Sequence, residues 1–165
     1  MSTAAGAGPA HGPPWPVLIV DDDPEVHAVT RLCLHGFTFQ SRKLEWLSAH
    51  SGAEGRAIMA ARKDIALVLL DVVMETDQAG LELARHIRDD LHNRTIRIVV
   101  RTGEPQARPL AVVDGYEIDD FRAKTDLTFE RMTILVKSAL RTYGLLRELE
   151  HAVTDCNEKL RAARA

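Results

Sequence analysis

The chain has 165 residues, 45% of them hydrophobic and 27% charged, which is enough for one domain with a buried core. Against 21 basic residues stand 24 acidic ones, giving a net charge of −3 with no dense Lys/Arg block, so direct nucleic-acid binding is not expected. No apolar run approaches the roughly 18 residues of a membrane span, and Cys33 and Cys156 form neither a CxxC pair nor a disulfide framework, as suits a reducing compartment.

Residues 1–14, "MSTAAGAGPAHGPP", hold almost no large apolar side chain that could offset the entropy of ordering, and are expected to form a flexible leader. They lack the basic region and apolar core of a secretory signal, which points to a cytoplasmic location. "VLIV" at 17–20 reads as a strand, after which Asp23 can cap a helix that opens with Pro24 and runs to about residue 36. "LEWLSA" at 44–49 is a second strand, and Ser51 with Glu54 makes a capping box for a helix to about residue 62. "ALVLL" at 66–70 is a third strand, followed at 80–91 by a helical period carried by Leu83, Ala84, Ile87 and Leu91. "IRIVV" at 96–100 and "DDFRA" at 119–123 complete the strands; residues 105–113 between them are weakly helical, interrupted by Pro105 and Pro109. A long helix starts near residue 128. The seven histidines never fall at the i, i+4 spacing of a helical metal site and are expected to be surface or packing residues.

Five strands alternating with helices imply right-handed crossovers and a doubly wound α/β fold: a parallel sheet covered on both faces, with the apolar third strand central. Function in such sheets gathers at the carboxyl ends of the strands. There the sequence places Asp21 and Asp22, Asp71, Thr102 and Lys124. Crowded carboxylates repel one another and are best compensated by a hard divalent cation on oxygen ligands, most simply Mg²⁺. A lysine and a hydroxyl at the same mouth suit phosphoryl oxygens. Taken singly, each residue is an ordinary cap, turn former or surface lysine. The chemistry rests on their sharing one sheet edge.

In combination, "VLIVDDDP", "LLDVVM", "VVRTGEP" and "DDFRAKT" resemble the receiver domain of two-component response regulators over residues 16–143. The resemblance implies a flavodoxin-like five-stranded sheet of order 2-1-3-4-5. It implies that Asp71 accepts a phosphoryl group from a histidine kinase or phosphotransfer protein, with no enzymatic activity beyond this self-catalysed transfer and its hydrolysis. Asp22, Asp71 and the carbonyl of Val73 would hold Mg²⁺, with Asp21 acting through a water. Lys124 would pair with the phosphoryl group, Thr102 would move inward to it, and Phe121 would follow as an aromatic switch. The 22-residue spacing from Thr102 to Lys124 agrees with that family. Glu104 and Val73 would flank the approach of hydrolytic water. Three features depart from the common pattern: Glu75 follows Met74 where proline is usual, one extra residue separates Asp71 from Gly80, and Thr125 follows Lys124. With these variants the chain is similar to the receivers that precede cyclic-di-GMP phosphodiesterases of the HD-GYP type.

From Met132 the apolar residues alternate by threes and fours through Leu135, Ala139, Thr142, Leu146, Leu149, Val153, Cys156, Leu160 and Ala163. A receiver at 15–143 needs only the start of this helix; residues 144–165 are expected to extend it and pair in a parallel coiled coil, giving a homodimer that transmits to an output domain beyond residue 165. A lone amphipathic helix is the plainer alternative. Two other functions remain open on sequence: a pseudo-receiver serving only as a dimerisation scaffold, and an aspartate-nucleophile phosphohydrolase using Asp21 and Asp23. Glu25 and an unused Asp71 argue against the second.

Overall fold

The computed structural model describes residues 12–103, 109–126 and 128–164, so most of the expected leader, with Glu104 and Pro105, lies outside the described residues. The elements in chain order are β1 (Trp15–Val20), α1 (Pro24–Cys33), β2 (Thr38–Phe39), β3 (Arg42–Ala49), α2 (Gly52–Ala61), β4 (Leu67–Asp71), α3 (Ala79–Arg85), β5 (Arg97–Thr102), α4 (Pro109–Tyr116), β6 (Asp120–Ala123) and α5 (Phe129–Ala163). The sheet order is β2-β3-β1-β4-β5-β6. Its five long strands are parallel and follow the expected 2-1-3-4-5 order, with β4 central.

The sheet has six strands rather than the expected five. The addition is β2, two residues antiparallel to the edge of β3. Gln40 and Ser41 both adopt positive φ, 51° and 58°, which folds the chain into a tight hairpin. The indole of Trp15 donates to the Phe39 carbonyl at 3.0 Å and holds the hairpin against β1.

The strand residues alternate between two cores. Leu18, Val20, Val68, Leu70, Ile98 and Val100 pack with Met59 of α2 and Leu83 of α3. Val17, Ile19, Leu67, Leu69 and Val99 pack with Leu34 and the first half of α5. The first two helix starts follow the expected caps: Asp23 accepts from the Glu25 N–H at 2.9 Å, and Ser51 from the Glu54 N–H at 3.1 Å. The reciprocal arm of the second cap is displaced by one residue, Glu54 accepting from His50 N–H at 2.7 Å.

The expected helix at 80–91 is regular only to Arg85 and then widens into a π turn, His86–Asp90. That turn carries Arg88 inward, where its guanidinium donates to the carbonyls of Asn93, Ile96 and Glu117 and to the Asp119 carboxylate, fastening α3 to the start of β5 and β6. Helix α4 starts at Pro109, a residue suited to a first turn, and ends three residues beyond the expected 113. In α5, Met132, Leu135, Val136, Leu140 and Tyr143 are buried, and contact with the sheet domain continues to Glu150, whose carboxylate accepts from Thr95. Beyond that, Val153 and Leu160 are exposed, as is Leu149 before them. Among the described residues no helix is long and apolar enough to cross a membrane.

Candidate functional site

Because β1, β4, β5 and β6 are parallel, the residues that end them or follow them meet at one edge. Asp71 and Thr102 are the last residues of β4 and β5, Asp21 follows β1, and Lys124 opens a 3-10 turn directly after β6. Asp21 and Asp71 are buried and Asp22 is exposed, and one ligand oxygen from each lies within 4.8 Å of the others. Lys124 Nζ donates to Oδ2 of Asp71 at 2.9 Å. It lies equally 2.9 Å from Oδ2 of Asp21, an ionic contact without hydrogen-bond alignment, so that this fully buried oxygen has no hydrogen-bond donor. The other oxygens are held by backbone: Asp23 N–H donates to Oδ1 of Asp21 at 3.1 Å and Val72 N–H to Oδ1 of Asp71 at 2.8 Å.

Three carboxylates thus face one ammonium. Burial lifts the Asp71 carboxyl above its ordinary value against the pull of Lys124, and the neighbouring Asp21 adds to the lift. Burial alone would push Lys124 down, yet Asp21 and Asp71 outweigh it and hold the ammonium charged. Three carboxylates at chelating distance, two of them buried and sharing a single ammonium, suit a hard divalent cation.

The structure also brings in Thr102, which is buried at 2% exposure at the end of β5. Phe121 lies on β6 in register with Val100 and packs, half-buried, against the same core cluster. Val73 is in the loop after β4 with its side chain half exposed. Asp23, the acid that a phosphohydrolase would need, is occupied in the cap of α1, and Asp21 is fully buried, which suits neither role in that alternative.

Several supporting residues are not evident from the sequence. His27 is buried, and burial lowers its imidazole pKa, favouring the neutral ring, against the bond to Asp21. In that form Nε2 donates to the Asp21 carbonyl at 2.8 Å and Nδ1 accepts from the Ser48 hydroxyl at 3.1 Å, bracing the backbone that carries the acid pair. Glu75 joins two elements. Its Oε1 accepts from Gly52 N–H at 2.7 Å, so the carboxylate caps α2 and ties the loop after Asp71 to that helix. Gly80 packs so tightly beneath the site that a Cβ there would stand 1.8 Å from the Asp71 carbonyl oxygen. Arg101, just before Thr102, is buried on β5. An arginine prolonging the run "IRIVV" was the available signal for it.

Residues 17–141 match the response regulator receiver domain family. A curated relative, the 3'3'-cGAMP-specific phosphodiesterase 2 of Vibrio cholerae serotype O1, is 54% identical over 131 residues, which is 79% of this chain and 25% of that protein. The chain therefore spans about a quarter of that relative's length. Among solved structures, the signal receiver domain of an HD domain-containing protein from Pseudomonas fluorescens Pf-5 superposes with a TM-score of 0.68 at 17% identity, over 82% of this chain and 93% of that one. A CheY-like receiver domain protein from Methanospirillum hungatei JF-1 gives 0.64 at 20% identity, over 79% and 97%. At these identities the two structures speak to the fold.

Proposed function

The chain belongs to the response regulator receiver domain family, and from that premise we propose that Asp71 is its phosphoacceptor, assisted by Mg²⁺ at Asp21, Asp22 and Asp71. The observation that carries this reading is the Lys124 ammonium, 2.9 Å from Oδ2 of both Asp21 and Asp71 at the common strand edge. A carboxylate oxygen of Asp71 attacks the phosphorus of a phosphohistidine on a histidine kinase or phosphotransfer protein. The new O–P bond forms as the P–N bond breaks, and the bonding pair leaves with the imidazole. Lys124, already at hydrogen-bond distance from Asp71, pairs with the phosphoryl oxygens as the carboxylate becomes an acyl phosphate. Asp22, Asp71 and the Val73 carbonyl, with Asp21 acting through a water, would hold Mg²⁺, which would supply further neutralisation of those oxygens.

Phosphorylation replaces a carboxylate with a group of greater negative charge and more acceptor oxygens, which draws Thr102 inward and lets Phe121 follow. The receiver thereby biases a two-state surface beside α4 and β6. The 54% identity to the Vibrio cholerae phosphodiesterase supports an output of the cyclic-dinucleotide phosphodiesterase class following this chain, and we place the protein in the cytoplasm. The exposed apolar stripe Leu149, Val153 and Leu160 favours a homodimer through α5.

The test is phosphate uptake from acetyl phosphate with Mg²⁺, read on a phosphate-affinity gel. Wild type should shift and Asp71→Asn should not. A shift of equal size in Asp71→Asn would overturn the assignment.

A further inference from the structure

Arg101 faces Asp71 directly across the parallel register of β4 and β5. Two residues earlier on each strand, Val99 and Leu69 lie in one core cluster with Ile19, which stands two residues before Asp21. By strand alternation Asp21, Asp71 and Arg101 therefore project to the same face, the one covered by α1 and α5. Arg101 is 2% exposed. Its Nη1 donates to the Thr30 hydroxyl at 2.8 Å, while Nε and Nη2 are buried without a partner among the described residues.

A buried cation with two unmatched donors is a costly occupant of a position where an aliphatic side chain would simply prolong the core. What holds it charged is the pair of carboxylates, Asp21 and Asp71, against burial that pushes its pKa down. Arg101 and Lys124 also line one cavity of about 220 Å³ beside the site.

The balance of charge gives the arrangement its consequence. With Lys124 as the one cation, three carboxylates leave a net double negative charge, which a divalent cation neutralises and phosphorylation then makes negative again. With Arg101 as a second cation, the metal-loaded site is positive until Asp71 is phosphorylated, and neutrality is reached in that state.

We propose that Arg101 is a second, buried cation of the phosphoryl site, weakening divalent-cation binding to the unphosphorylated protein and stabilising the phosphorylated, metal-loaded form. This rests on the reading of Asp71 as phosphoacceptor. Arg101 acts through its charge on the groups around it, as a positioning residue.

The experiment uses the full 165-residue chain and two titrations: Mg²⁺ alone by calorimetry, and beryllofluoride at saturating Mg²⁺. Arg101→Met removes the charge at similar length, and Arg101→Gln is a second neutral variant that keeps a donor for Thr30. Each neutral variant should bind Mg²⁺ about ten-fold more tightly and beryllofluoride about ten-fold more weakly than wild type, while Arg101→Lys stays near wild type in both. Opposite signs are the signature, since loss of packing alone would weaken both affinities together. If the neutral variants that fold shift both affinities in one direction or neither, or if none of them folds while Arg101→Lys does, the inference falls and the phosphoacceptor reading stands. If wild type itself takes no beryllofluoride, the phosphoacceptor reading falls and this inference with it.

Discussion

Asp71 sits where two demands conflict, because a nucleophilic carboxylate must be ionised while the strand that positions it is buried along its whole length. Burial raises its pKa, with Lys124 pulling the other way and Asp21 adding to the rise. A carboxyl that holds its proton more tightly in the folded than in the unfolded state favours folding at low pH, and that advantage is lost as pH rises through the raised value. At neutral pH the charge is thus a burden on the fold. Asp71→Asn should melt at a higher temperature than wild type in metal-free buffer at pH 7, with the gap closing as pH falls through the acidic range. Adding Mg²⁺ should raise the melting temperature of wild type more than that of the variant. A lower melting temperature for Asp71→Asn in metal-free buffer would show that pairing with Lys124 dominates. Asp21, Asp22, Asp71 and Thr102 were legible as polar residues at or just after the end of apolar runs, and Lys124 as the residue that follows the short last strand. Arg101 was not, since its meaning depends on a neighbour 30 positions away across the β4–β5 register.

At the scale of elements, the loop from β4 to α3 carries the largest departure from the common receiver pattern, and the structure supplies its physics. Proline at the position of Glu75 would stiffen the loop by itself; Glu75 instead anchors it to the N-terminus of α2. Glu75→Ala should cost about 1 kcal/mol, as loss of a helix cap does, measured by urea unfolding. It should also slow phosphate uptake, because the loop bearing Val73 loses its tether. An unchanged stability and rate would mean the contact is idle. Gly80→Ala is the stronger perturbation: the added methyl would meet the backbone of Asp71 itself, so α3 or the end of β4 has to move. A loss of more than ~3 kcal/mol or of soluble protein is expected, and a fully stable, phosphorylatable variant would contradict the packing described. Helix caps at Asp23 and Ser51 could be read from sequence because their partners lie within three residues. The hairpin of β2 and the π turn after α3 could not, since one depends on two positive-φ residues and the other on an arginine reaching β5 and β6.

At the scale of the molecule, α5 serves two purposes along one helix. Its first half completes a core, burying Met132, Leu135, Val136, Leu140 and Tyr143, and Tyr143 donates to the Asp64 carbonyl at 3.2 Å. Its second half repeats apolar residues with nothing from the described part of this chain to cover them. Leu149→Asp combined with Val153→Asp should convert a dimer to a monomer in sedimentation at micromolar concentration, with the thermal stability of the sheet domain preserved. A wild-type chain that sediments only as a monomer would remove the coiled-coil reading. The sequence by itself determined the alternation of strands and helices, the order of chemistry at the strand ends and the amphipathic tail. All of these are written in short-range periodicity and in what terminates each run. Tertiary structure alone decided that Glu75 caps a helix 23 residues before it, that Gly80 underlies Asp71, and that a buried arginine joins the acid row. Each of these is a contact between elements, and its energy depends on a distance that the folded sheet creates and that local pattern does not encode.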